Sequence, residues 1–168
     1  SCAKCGHVER AFEISALMDA NCIAKDQTIY SALMDACGRV QQLDRAIQVF
    51  EEMKRKGVWP NLITFAVLID TCANAREPYK AFELFSEIKY WDLEPNVVTY
   101  TALIDACSKA GWPERAEIVL RKMRESGVEP NEITYGALVD AWARRGELDR
   151  AFELLERMAV DDGVAPNA

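Results

Sequence analysis

Apolar residues recur along this chain at helical spacing, and the whole pattern repeats every 35 residues. The clearest copy spans residues 97–131, where Tyr100, Leu103, Ile104 and Cys107 follow the 3-4-3 spacing of one helix face. The aromatic residue of that face recurs at Tyr30, Phe65 and Tyr135. A fixed period of this size predicts a solenoid, in which each copy buries its apolar face against the next copy.

Each copy contains two predicted helices. The repeats span residues 27–61, 62–96 and 97–131, with a partial repeat at 1–26 and a fourth repeat at 132–167 that holds one extra residue. Numbering positions from 1 to 35 in each copy, we predict a first helix over positions 2–13. The second helix begins near position 17, where Pro78 and Pro113 suit a first helical turn. The sequence therefore predicts an all-α fold, a right-handed α-solenoid of stacked antiparallel helix pairs with 35-residue repeats.

The second helix has an apolar row and a polar face. In the first full repeat the apolar row is Ala46, Val49, Phe50 and Met53. The polar residues of the same helix, predicted to form a solvated surface, are Asp44, Arg45, Glu51, Glu52, Lys54 and Arg55. Residues 1–26 are expected to supply the end of a first helix and one complete second helix, and the fourth repeat is expected to bulge in its final loop.

The cysteines follow the repeat. Cys37, Cys72 and Cys107 stand one period apart in the apolar row, which predicts small buried hydrophobic residues. Cys2 and Cys5 form a single CxxC close to His7, the only histidine. A structural zinc site needs four ligands and no second pair follows, so we expect no metal and no cofactor.

Composition limits the function classes. The net charge of −7 argues against a simple basic footprint for nucleic acid. No apolar run reaches the ~18 residues that a membrane span needs, so we expect no membrane partner. With one histidine and no Ser/His/Asp set, phosphate loop or metal-ligand cluster, these residues predict no enzyme.

The helix pairs, the period and the pattern TYxALIDACxKAG…A…M…GVxPN resemble the pentatricopeptide repeat family in its plain 35-residue form. The 34-residue tetratricopeptide repeat expects a Trp-Leu-Gly-Tyr pattern and does not fit. The resemblance implies sequence-specific binding of single-stranded RNA along the first helices, one base per repeat. It also implies organellar RNA metabolism (transcript stabilisation, processing, splicing or translation) in a mitochondrion or chloroplast.

In the family, position 5 and position 35 together specify the base. Carried onto this chain, the pairs are Ser31 with Asn61, Ala66 with Asn96, Thr101 with Asn131, and Gly136 with Asn167. A small hydroxyl residue paired with Asn implies adenine, so adenine is expected at the first and third full repeats, with the RNA running 5′ to 3′ from the N-terminal side. Ala66 and Gly136 have no side-chain hydrogen-bonding group, so weak discrimination is expected there.

Two further positions complete the implied interface. Position 2 would sandwich the bases with Thr28, Ile63, Val98 and Ile133. Position 13 would face the phosphates with Arg39, Lys109 and Arg144, whereas Asn74 departs from the pattern. An aspartate stands four residues before each of these, where it can pair with the cation: Asp35, Asp70, Asp105 and Asp140. Such pairing predicts a shallow dependence of RNA affinity on salt.

The recurring asparagine and the groove each have an alternative interpretation. Asparagine is a good helix N-cap, so its recurrence at position 35 also has a purely structural interpretation. Helical solenoids also bind proteins in the groove of their first helices. A protein–protein interaction scaffold that uses this groove is therefore the alternative function.

Overall fold

A computed structural model describes the backbone of residues 2–161 and the side chains of residues 8–154 and 156. Within this range the chain forms helices and no strand. The helices are α1 (Cys2–Ala20), α2 (Gln27–Arg39), α3 (Leu43–Arg55), α4 (Leu62–Asn74), α5 (Pro78–Tyr90), α6 (Val97–Ala110), α7 (Pro113–Glu125), α8 (Glu132–Arg145) and α9 (Leu148–Asp161). The predicted all-α solenoid of helix pairs is confirmed.

The helix boundaries follow the repeat. α2, α4, α6 and α8 begin at position 1, and α3, α5, α7 and α9 begin at position 17. Pro78 and Pro113 stand in the first turn of α5 and α7, where a missing N–H costs no intrahelical bond. Gly111 ends α6 with φ 73°, a left-handed conformation that an L side chain rarely adopts.

The helices form two layers. The first helices of successive repeats, α2, α4, α6 and α8, pack side by side, and each second helix packs on its own first helix and on the next one. Between the second helices, no Cα atoms of the described chain approach within 8 Å. The first helices are therefore the more closely spaced layer, which places them on the inner side of the array.

The core lies between the two layers. Tyr100, Leu103, Ile104 and Cys107 are buried as the spacing predicted, and so is the row Ala46, Val49, Phe50 and Met53. Successive repeats meet through these residues, as in the edge-on contact of the Phe50 and Phe65 rings, whose centroids are 5.7 Å apart. Each large side chain buried in this way stabilises the array by about 1.5–3 kcal/mol.

The cysteine row is part of the same core. Cys37, Cys72 and Cys107 are fully buried and unpaired, which confirms the prediction of small hydrophobic residues. Desolvation raises the pKa of both the Cys72 and Cys107 thiols to about 12. Cys22 is instead exposed. The side chains of Cys2, Cys5 and His7 lie outside the described residues.

The prediction of a uniformly solvated second-helix surface was wrong for three residues. Arg45, Glu52 and Lys54 are half-buried, whereas Asp44, Glu51 and Arg55 are exposed. Arg45 pairs with Glu9 at 2.7 Å, Glu52 with Lys25 at 2.7 Å, and Lys54 with Glu87 at 3.5 Å. These partners belong to neighbouring repeats or to the connection before α2, so the flanks of a second helix face other parts of the array. The periodicity of a single helix does not show this.

The N-terminal part of the described chain departs from the plain repeat. α1 runs without interruption from Cys2 to Ala20, so the expected break between a first-helix end and a second helix is absent there. The residues before the expected turn are too few to form a stable helix of their own, so they continue α1 instead. α9 ends at Asp161, and the expected bulge beyond it lies outside the described residues.

Candidate nucleic-acid interface

A groove of about 410 Å³ crosses the layer of first helices from α2 to α8. Five of the residues predicted to contact RNA line it together: Ala66, Val98, Thr101, Asn131 and Ile133. They come from positions 2, 5 and 35 of successive repeats, which are brought together because the first helices pack in register. Asp35, Asp70 and Asp105 line the same groove.

The asparagines at position 35 are helix N-caps. Asn61, Asn96 and Asn131 have extended backbones, and each side-chain Oδ1 accepts the backbone N–H of the residue three positions later. The distances from these nitrogens to Oδ1 are 2.9, 3.1 and 3.0 Å. The structural interpretation of position 35 is therefore correct, and the carboxamide has its NH₂ group left for other partners. In Asn61 that group donates to Gln27 Oε1 at 2.9 Å.

A threonine at position 3 completes each cap. Thr64, Thr99 and Thr134 are fully buried, and each hydroxyl accepts the backbone N–H of the capping asparagine. Sequence reasoning missed these residues. The signal was present as Asn-x-x-Thr at three consecutive repeat boundaries, a variant of the capping box.

Position 5 contacts this threonine in the following repeat. The hydroxyl of Thr101 lies 2.7 Å from that of Thr134, and the hydroxyl of Ser31 lies 3.5 Å from that of Thr64. Ala66 is buried in the equivalent place and has no polar atom to offer. Gly136 is exposed, and a Cβ added there would meet nothing within 4 Å. The repeats with Ser31 and Thr101 therefore have a hydroxyl at position 5, whereas the repeats with Ala66 and Gly136 have no side-chain hydrogen-bonding group there.

The apolar residues at position 2 are exposed. Ile63, Val98 and Ile133 are 65, 55 and 70% accessible, and Thr28 is also exposed. Val98 and Ile133 line the groove, where two exposed apolar side chains can take a flat apolar surface between them. The role of position 2 in sandwiching bases stays a prediction.

The cations at position 13 are paired with the aspartates at position 9. Arg39 contacts Asp35 at 2.8 Å, Lys109 contacts Asp105 at 2.6 Å, and Arg144 contacts Asp140 at 2.6 Å. Asn74, which replaces the cation, donates to Asp70 at 3.1 Å. These are the expected i,i+4 pairs. Two of them are open to solvent, since Arg39 and Arg144 keep 73 and 49% of their side chains accessible, whereas Lys109 keeps 27%.

A second cavity of about 580 Å³ lies at the position-13 end of the groove, where Arg39 and Asn74 line it with Asp35. Near its edge α2 and α4 approach closely at Gly38, since a Cβ on this residue would lie 2.5 Å from Thr71 Oγ1. Asp35 borders both cavities, so the stripe from position 5 to position 13 is continuous.

Some predicted features fall outside this interface. Asn167 lies beyond the described residues, so the pair that it would form with Gly136 has no described geometry. Among the described side chains, no group of three or more His, Cys, Asp and Glu residues is arranged to hold a metal ion. In the described part of the chain, every helix is too short or too polar to cross a membrane.

The family follows from a comparison with known proteins. The profile described as the pentacotripeptide-repeat region of PRORP matches residues 1–116 and again residues 27–167. The chain belongs to the pentatricopeptide repeat family. None of the curated proteins matches it significantly.

Solved pentatricopeptide repeat structures share its fold. One of them is the maize protein PPR10 in a complex with an 18-nucleotide psaJ RNA element, which is 27% identical to this chain and superimposes with a TM-score of 0.83. The match covers 90% of this chain and 22% of the PPR10 chain. The chain thus spans about a fifth of the length of PPR10. The pentatricopeptide repeat domain of Arabidopsis thaliana PRORP1, in a complex with tRNA, is 24% identical to this chain with a TM-score of 0.73. The match covers 94% of this chain and 83% of that domain, and at this identity it shows the fold alone.

Proposed function

We propose that the groove on the first helices binds single-stranded RNA and reads one base per repeat. The observation that carries this proposal is the convergence of Val98, Thr101, Asn131 and Ile133 on one groove. Two exposed apolar side chains, a hydroxyl and a carboxamide line this groove together. An unstacked base needs an apolar surface for its faces and polar groups for its pairing edge, and this arrangement offers both.

The RNA complex of the related PPR10 supports the same proposal. By the family resemblance, the reading pairs are Ser31 with Asn61 and Thr101 with Asn131 for adenine, while the pairs that contain Ala66 and Gly136 discriminate weakly. The RNA runs 5′ to 3′ along the chain. The process is organellar RNA metabolism in a mitochondrion or chloroplast, in which the array acts by occupying RNA and not by catalysis.

The acidic net charge is compatible with this function. Asp35, Asp105 and Asp140 are each paired with the cation four residues later, so the groove is not a uniformly repulsive surface. The same pairing limits the number of cations that are free to meet phosphates. Binding is therefore expected to depend on base contacts more than on counterion release.

A titration with labelled single-stranded RNA at two salt concentrations tests the proposal. Oligomers that hold A-N-A-N are compared with matched U-N-U-N oligomers, since the first and third full repeats are the adenine readers. The variant Thr101→Asn should weaken the preference for adenine at one position or move it toward a pyrimidine. Ser86→Asn is the control, because Ser86 is exposed on α5, outside the groove.

The remaining outcomes lead to different conclusions. Salt-sensitive binding without base preference would mean a general RNA-binding surface and would contradict readout by repeat. No binding at low salt would contradict RNA binding altogether and favour the protein scaffold. The carboxylate of Asp70 in the groove, which has Asn74 and not a cation four residues later, would then suit a cationic peptide.

A further inference from the structure

The threonine at position 3 has a hydrogen-bonding role that reaches into the preceding repeat. Thr134 is fully buried, and three polar atoms surround its hydroxyl. They are Asn131 Oδ1 at 2.9 Å, the backbone nitrogen of Asn131 at 3.3 Å, and Thr101 Oγ1 at 2.7 Å. A hydroxyl has one proton and two lone pairs, so these three contacts match its full capacity.

The three contacts can be satisfied together in one arrangement only. The backbone N–H of Asn131 must donate, so one lone pair of Thr134 accepts it. Asn131 Oδ1 carries no proton, so Thr134 donates its proton there. The second lone pair of Thr134 then accepts the hydroxyl proton of Thr101. A buried hydroxyl strongly favours such complete pairing.

We propose that Thr134 is a positioning residue that holds the Thr101 hydroxyl as a hydrogen-bond acceptor toward the base, an inference that rests on the proposed RNA binding. With its proton directed at Thr134, Thr101 offers only lone pairs to the groove. Asn131 Oδ1 already accepts the N–H and the hydroxyl of Thr134, so its NH₂ group is the part that can meet a base. The pair therefore presents an acceptor beside a donor.

This arrangement selects between bases by their pairing edges. Adenine and cytosine carry an amino donor next to a ring-nitrogen acceptor, whereas uracil and guanine carry a carbonyl acceptor next to an N–H donor. An acceptor beside a donor therefore complements adenine and cytosine, and it opposes uracil and guanine. The repeat at residues 97–131 thus disfavours uracil and guanine through a residue of the following repeat.

The other repeats give graded versions of the same contact. Ser31 lies 3.5 Å from Thr64, well beyond the 2.7–2.8 Å typical of O–H···O bonds, so its orientation is less restricted. Thr99 makes the same kind of cap, accepting the backbone N–H of Asn96 and donating to its carbonyl oxygen, both at 3.0 Å. The residue at position 5 before it is Ala66, which has no hydroxyl to orient. Thr99 is therefore a matched control within the same chain.

The test measures RNA affinity with each of the four bases at the site read by Thr101 and Asn131. The unchanged chain should prefer adenine or cytosine over uracil and guanine by about tenfold. Thr134→Val removes the hydroxyl at nearly constant shape and should lower this ratio, because the Thr101 hydroxyl can then donate as well as accept, while the Asn131 NH₂ group still opposes the N–H of uracil and guanine. Thr134→Ser keeps the hydroxyl and should keep most of the preference.

Thr99→Val separates the positioning role from the capping role. It removes an equivalent cap and should lower the unfolding temperature by as much as Thr134→Val, yet leave the base preference at Thr101 unchanged. RNA binding with an unaltered ratio in Thr134→Val would overturn the inference and leave RNA binding standing. An equal loss of preference in Thr99→Val would overturn it as well. Absence of RNA binding by the unchanged chain would overturn the proposed function and this role together.

Discussion

Lys109 donates from Nζ to Oδ1 of Asn74 at 2.8 Å, so the residues at position 13 of two successive repeats are directly bonded. Lys109 also pairs with Asp105 at 2.6 Å and is the least exposed of the three position-13 cations, with 27% of its side chain accessible. The departure of Asn74 from the cation pattern thus places an acceptor beside Lys109. This hydrogen bond joins α6 to α4 and restrains the lysine between them.

Asp105→Asn should raise RNA affinity at low salt and steepen its salt dependence. The substitution removes the carboxylate that occupies Lys109, which frees the ammonium group for a phosphate and adds about 0.7 to the slope of log K against log salt. The control is Asp44→Asn, the same change of charge at an exposed site on α3. An equal effect of both variants in a titration series would mean that net charge, and not Lys109, is responsible.

Ile133→Ala should weaken RNA binding without affecting stability. Ile133 is 70% exposed, so little apolar contact is lost from the folded protein, whereas a base stacked against it would lose about 1 kcal/mol, or roughly fivefold in affinity. Ile118→Ala removes a comparable side chain, 49% exposed, from α7 outside the groove. Similar losses in both variants, measured by anisotropy and thermal unfolding, would contradict a sandwiching role.

Asn131→Asp should change base choice while the helix cap is kept. Aspartate caps helices about as well as asparagine, so stability should hold, whereas Asn131→Ala should cost about 1 kcal/mol in urea unfolding. Replacing the NH₂ group by a carboxylate oxygen turns the donor into an acceptor, which opposes the adenine edge and suits guanine. Retained adenine preference in the aspartate variant would show that this amide does not contact the base.

The buried thiols should resist alkylation in the folded protein. The pKa of Cys72 and that of Cys107 are raised to about 12 by burial, so almost no thiolate forms at pH 8 and reagent has no access. Exposed Cys22 should react with iodoacetamide under the same conditions. Peptide mass spectrometry before and after unfolding checks this, and rapid labelling of Cys72 in the native chain would contradict the packed interface between repeats.

The same thiols should make stability fall at alkaline pH. Their folded pKa of about 12 exceeds the ordinary value of 9.0, so their contribution is fully present below pH 9 and is lost as pH rises toward 12. The unfolding temperature should therefore decrease over this window. A Cys107→Ala variant, which removes one of the two groups, should show a shallower decrease, and an identical pH profile would argue against this cause.

Much of the architecture could be predicted from the sequence because the repeat supplies several independent copies of one pattern. The starts of α4, α6 and α8 were predictable from Pro-Asn, and the burial of Cys37, Cys72 and Cys107 from their common place in an apolar row. The pairing of Asp105 with Lys109 was also predictable, since residues four apart share a helix face. All of these relationships are local along the chain or follow from the spacing on one helix.

Contacts between repeats could not be predicted in the same way. The bonds from Thr101 to Thr134, from Lys109 to Asn74 and from Lys54 to Glu87 join residues about one repeat apart. Their existence depends on the lateral offset and rotation of one helix pair relative to the next, which helical periodicity does not specify. The predicted interface residues were identified from family resemblance, but only the packing shows which polar groups on them are already in use.

The sequence by itself determined that this chain is an array of helix pairs, where the helices of the full repeats begin, and which face of each is apolar. Those properties follow from local backbone preferences and from hydrophobic spacing along one helix. Only the tertiary structure decided which hydroxyls meet across a repeat boundary and which charges are paired between repeats. Hydrogen bonds require donor and acceptor within about 3 Å, and distances on that scale are set by how neighbouring helices pack.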